Sequence, residues 1–139
     1  MDGMDHLTVL LHAGNYSCVI RNGDIVRSFT RRGVADLYRL LNEEPAFLQG
    51  AWVADKVVGK AAAALMLLGG VERLHADVLS RPAWSLLERS GMEAAYGCLV
   101  PYVKNRDQSG WCPLETLCYE KESLADIYCA IDAFVNRKE

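Results

Sequence analysis

From residue 50 onward, short apolar runs alternate with helix-patterned runs, and this alternation limits the fold more than any other feature of the sequence. Ala51-Trp52-Val53-Ala54 reads as a strand, and residues 56–68 read as an alanine-rich helix closed by Gly69-Gly70. Residues 74–79 read as a second strand, 82–89 as a helix with Pro82 in its first turn and Gly91 as its stop, and 95–100 as a third strand. Strands joined through helices pair in parallel, because a parallel connection must cross the whole sheet. Upstream, Met4, Leu7, Leu10 and Leu11 recur at helical spacing up to Gly14. Two β-rich runs, 16–21 and 24–29, then flank Asn22-Gly23, a strong hairpin signal that predicts an antiparallel pair. A short helix over Val34 to Leu41 closes before Pro45. Downstream, a polar loop over 104–110 leads to a helix opened by Cys112-Pro113. A final helix starts at Ser123, with Leu124, Ile127, Tyr128, Ile131 and Phe134 on its apolar face. The reading is α/β with a mixed sheet, in a single domain over 1–139.

Composition narrows the function. Lys and Arg total 15 against 18 Asp and Glu, a net charge of −3, which argues against a nucleic-acid partner held through phosphates. The longest apolar run, Ala61 to Leu68, is far short of the roughly 20 residues a membrane span needs. The acidic start, Met1-Asp2-Gly3-Met4-Asp5, lacks the basic stretch of a secretory leader. Five cysteines with no C-x-x-C pair fit reduced thiols, so a cytoplasmic location is expected. An alternating sheet with an apolar last helix predicts a homo-oligomer, most simply a dimer.

Ligands of such sheets gather at the carboxyl ends of the strands, which selects segments 54–60, 79–84 and 101–115. In the first, Asp55 is read at a strand-to-helix junction, where it can cap free amides. Lys56 and Lys60 stand four apart on one helix face, and Gly59 admits a close backbone or ligand. The lysines suit an anionic or carbonyl-bearing ligand, and Asp55 is expected to pair with one of them so that each keeps the other charged. Ser80 and the pair Asn105 and Arg106 are the ligand-binding candidates of the other two segments. Cys112 precedes a proline at a helix start, where amides and dipole favour a thiolate. Glu115 can reach back to the cap amide of its own helix or carry a proton. Each feature also has a plain structural explanation: a cap, a solvated lysine, a glycine that packs closely. Trp52, Trp84 and Trp111 adjoin the three segments and could wall a planar ligand or pack the core.

Taken together, Asp55-Lys56-Val57-Val58-Gly59-Lys60-Ala61, Leu79-Ser80-Arg81-Pro82-Ala83, Asn105-Arg106 and Cys112-Pro113-Leu114-Glu115 resemble a known group. It is the group of small bacterial and archaeal proteins of unknown function with a cytidine-deaminase-like fold, and the resemblance runs from Tyr16 to about Tyr119. It implies a three-layer α-β-α arrangement with its site at the strand ends. Zinc deaminases place His-x-Glu at one helix start and Pro-Cys-x-x-Cys at the next, around a metal-bound water. Here those places hold Asp55-Lys56-Val57-Val58 and Ser80-Arg81-Pro82-Ala83, so the ligand set is missing, and no zinc or other cofactor is expected. The expectation is a small-molecule pocket, for a nucleobase-like or anionic ligand, acting as a binding or regulatory module. The alternatives are a zinc-free enzyme with Cys112 as nucleophile beside Asp55, Lys56 and Lys60, and a metal-dependent deaminase built from Asp55, His75 and Cys112.

Overall fold

The structure, a computed structural model, describes residues 3–31, 34–105 and 108–136. Helix α1 (Gly3–Ala13) precedes strands β1 (Cys18–Asn22) and β2 (Ile25–Phe29), then helix α2 (Ala35–Glu43) and the single turn α3 (Pro45–Leu48). The alternating half follows as β3 (Trp52–Val58), α4 (Lys60–Gly69), β4 (Arg73–Ser80), α5 (Arg81–Ser90) and β5 (Glu93–Val100). It is succeeded by α6 (Pro113–Cys118) and α7 (Leu124–Val135). The five strands form one mixed sheet in the order β2-β1-β3-β4-β5. The β1–β2 and β1–β3 pairs are antiparallel, and β3–β4 and β4–β5 are parallel.

The hairpin turns one residue later than the Asn-Gly pair suggests. Asn22 pairs with Ile25, so Gly23 and Asp24 make the turn, led by Gly23 at φ 62°. Asn22 stays in the strand because its side chain donates to the carbonyls of Phe47 and Gln49, at 2.8 and 2.9 Å.

Strand β3 is longer than its apolar run. The ladder carries on through Asp55 to Val58, so α4 begins at Lys60 and not at Lys56. The β-branched pair Val57-Val58 continues the strand, and Val58 is fully buried. Asp55 is therefore a mid-strand residue and no helix cap, and Lys56 and Lys60 do not share a helix face.

Core-facing rows cross the parallel strands as Val53–Leu74–Ala94 and Asp55–Ala76–Tyr96, and then as Val58–Leu79–Leu99. The last step is three residues where alternation allows two, so all three strands change face together across Lys56, Asp77 and Gly97. At Gly97 an added Cβ would lie 2.9 Å from the Asp77 carbonyl oxygen, so the close approach of β5 to β4 requires glycine.

The two faces are covered unequally. Helices α2, α4, α5, α6 and α7 build the main core over one face, with α4 buried from Lys60 to Met66 and α7 contributing Ile127 and Ile131. The other face is covered by α1, whose Met4, Leu7 and Leu11 stand on Val19 and Ala54. Among the described residues no helix is long and apolar enough to cross a membrane.

Candidate functional site

A cavity of about 1030 Å³ opens on the main-core side, where the carboxyl end of β3 meets the start of β1. That is near the upper end of the size usual for small-molecule sites, about 300–1,000 Å³. Its sheet wall carries Cys18, Ile20 and Asp55; the start of α2, the first turn of α4 and the 103–115 segment close it. Of the residues singled out by sequence, Asp55, Lys56, Gly59, Asn105, Cys112 and Glu115 line this space. Ser80 and Lys60 do not, and Arg106 lies outside the described residues.

Asp55 faces Cys18 across the β1–β3 ladder, and the thiol donates a hydrogen bond to its carboxyl. The Val57 amide also donates to Asp55 Oδ1, at 3.2 Å. Removal from water is the largest influence on this carboxyl and pushes it up to about 7. The hydrogen bonds from Val57, Cys18 and the Lys56 amide oppose that rise, and the charge of Asp77 adds to it. Burial likewise pushes the Cys18 thiol well above its usual value, with Asp55 adding to the effect. Cys18 lies in a β-rich run where small buried thiols are common, so its residue type alone does not mark it. The signal that finds it is its register opposite Asp55, which depends on where the hairpin turns.

The expected lysine partner of Asp55 is absent, because both lysines are held elsewhere. Lys56 Nζ donates to Asn15 Oδ1 at 2.6 Å. The side chain of Lys60 is buried and donates to the Tyr119 carbonyl at 2.9 Å. Among the described residues no Lys, Arg or His forms an ion pair with Asp55.

Glu115 is 2% exposed and acts on a different helix from its own. Its Oε1 accepts from the Lys60 amide at 2.8 Å, closing the start of α4, and its Oε2 accepts from the Val103 amide at 3.0 Å. A carboxylate there also favours the α4 dipole. Gly59 makes room for it: a Cβ at that position would lie 3.1 Å from both Glu115 Oε1 and Val103 Cγ2. Ser80, fully buried, caps α5 by accepting from the Ala83 amide at 3.2 Å and stands outside the cavity lining. Asn105 folds its own loop, accepting from the Ser109 and Gly110 amides through Oδ1. Cys112 is half-buried on the cavity wall at the N-cap of α6, a helix of only six residues.

The family described as a domain of unknown function, DUF1893, matches residues 6–135. The chain belongs to the DUF1893 family. A crystal structure of a DUF1893 protein from Thermotoga maritima superposes with a TM-score of 0.88 at 25% identity, over 96% of this chain and 92% of that one. No curated protein matches.

Within this DUF1893 chain, no three His, Cys, Asp or Glu side chains among the described residues are placed to hold a metal ion. The set Asp55, His75 and Cys112 is not assembled: His75 Nε2 lies 3.3 Å from Asp77 Oδ1, and it does not line the cavity. The tryptophans are not its walls either. Trp52 packs beside α1 and donates to Glu72, Trp84 meets Tyr96 edge-on, and Trp111 stacks on Tyr102 at 4.5 Å. The site offers a half-open space with one half-buried carboxyl that has a proton to exchange near neutrality, beside one protonated and one partly accessible thiol.

Proposed function

We propose that this DUF1893 chain is a small-molecule-binding module built on a cytidine-deaminase-like framework. The sheet order β2-β1-β3-β4-β5, with helices starting at the carboxyl ends of β3 and β4, supports the framework. The cavity itself carries the binding reading, since it gathers residues from Asn15 to Val135 around a polar floor in an otherwise apolar core. Both helix starts that a zinc deaminase gives to its metal are closed here by the chain's own acceptors, Glu115 at α4 and Ser80 at α5. The same arrangement removes the grounds for an anionic ligand held by Lys60 and the α4 amides, and leaves a compact planar molecule such as a nucleobase. The enzyme alternative retains Cys112 on the wall but loses Lys60 and Glu115 to structural bonds.

The test is a thermal-shift panel of nucleobases, nucleosides and related heterocycles, run beside native mass spectrometry of the protein as purified. A ligand at a hundred times its Kd should stabilise the fold by about 2.7 kcal/mol. Val57→Trp, at a partly exposed position on the cavity wall, should abolish the shift while leaving the fold intact. Shifts that survive this substitution would place binding elsewhere and overturn the reading.

A further inference from the structure

Among the described residues, the acid that lines the cavity without an ion pair or a helix start to close is Asp55. Arg31 is held by two bonds to Asp36, at 3.2 and 2.6 Å. Lys56 is held by Asn15, and both oxygens of Glu115 receive backbone amides. Lys104 stands exposed at the rim, and Cys112 on the wall carries no side-chain cap. Asp55 remains. It is half-buried on the cavity floor, accepts from the Val57 amide, pairs with no cation among the described residues, and feels a second acid, Asp77, from β4. A carboxyl in that position gains from a positive partner, because a cation brought into the cavity would complete an ion pair that no described residue supplies.

We infer that Asp55 is the recognition residue of the cavity and that its ligand carries a cationic nitrogen group, an amine, amidine or guanidine, on a compact apolar body. The inference rests on the cavity being a small-molecule site. Neutral neighbours suit it: Cys18 can turn its S–H toward Asp55 while the second carboxyl oxygen receives the ligand's N–H. Val57, Phe29 and Ala62 offer apolar wall to the body. The cation binds the ionised carboxyl, so each complex formed at low pH must first release the Asp55 proton. With that carboxyl near 7, affinity should rise about tenfold between pH 6 and pH 8.

Benzamidine, benzamide and benzoate are near-isosteric probes that differ in charge. In isothermal titration of the full chain, benzamidine should bind at least about tenfold tighter than either of the others. It should release a proton at pH 6, read as a dependence of the heat on buffer ionisation. Asp55→Asn should erase the preference and the proton release together. Because the wild-type pH dependence is read independently, the inference remains testable even if that variant folds poorly. Benzamide or benzoate binding as tightly as benzamidine, or a benzamidine affinity unchanged from pH 6 to pH 8, would overturn the charge assignment and leave the cavity as a ligand site. Failure of all three to bind would overturn the small-molecule reading along with it.

Discussion

A carboxyl that titrates near 3.9 in the unfolded chain and about 7 in the folded one binds its proton more tightly when folded. Asp55 therefore contributes stability that is complete below about pH 4 and is lost as pH rises through 7. Asp55→Asn should be more stable than the wild type by about 2–4 kcal/mol at pH 8, with the two curves converging near pH 4 in urea titrations. A constant gap across pH would show that Asp55 is not the group responsible. Removing the Glu115 side chain, by contrast, destabilises the fold, since it strands the buried Lys60 amide and the part-buried Val103 amide. Glu115→Ala should cost about 3 kcal/mol, and Glu115→Gln less, because one acceptor survives. Thiol chemistry separates the cysteines by exposure. At pH 7.5 iodoacetamide should label Cys98, Cys129 and Cys112 well before Cys18 and Cys118, whose thiols burial holds above their usual range. Peptide mapping that finds Cys18 among the first labelled would contradict its place behind Asp55.

At the scale of elements, Gly97 tests the shared change of face in β3, β4 and β5. Gly97→Ala should cost about 1–3 kcal/mol through contact with the Asp77 carbonyl, measured by chemical denaturation. A neutral substitution would mean that the strands relax apart at no cost. The same stretch shows what the sequence made legible and what it hid. The order of strands and helices after residue 50 was readable because Gly70, Gly91 and Pro82 punctuate it at the right places. The end of β3 was not, because Asp-Lys interrupts the apolar pattern while the ladder continues beneath it. That one displacement moved Asp55 from a cap to the cavity floor and separated Lys56 from Lys60. Glu115 reads as a capping residue from sequence, but its partner lies 55 residues away, and local spacing carries no information about that distance. Cys18 escaped for a similar reason, since its meaning comes from a cross-strand neighbour.

Across the whole molecule, one helix covers one face of the sheet and the remaining helices cover the other. Helix α1 is held by a five-residue apolar cluster, three of whose members are its own, and by a 2.7 Å contact between His12 and Asp77, whereas α4 is buried along most of its length. Native-state hydrogen exchange should therefore show α1 amides opening at lower free energy than those of α4, and Leu11→Ala, at about 2–5 kcal/mol, should widen the difference. Equal protection of the two helices would mean that the sheet opens as one unit. The Glu115 bridge bears on how the chain is made. Synthesis proceeds from the amino end, at about 5–20 residues per second, and domains fold as they emerge. The sheet strands and α4 leave the ribosome ahead of the carboxylate that closes the start of α4 and pins Val103. Until residue 115 clears the tunnel, the most buried helix of the protein has an open first turn and the cavity has no far wall. A chain truncated at residue 110 should be a protease target, and the full 139-residue chain should not.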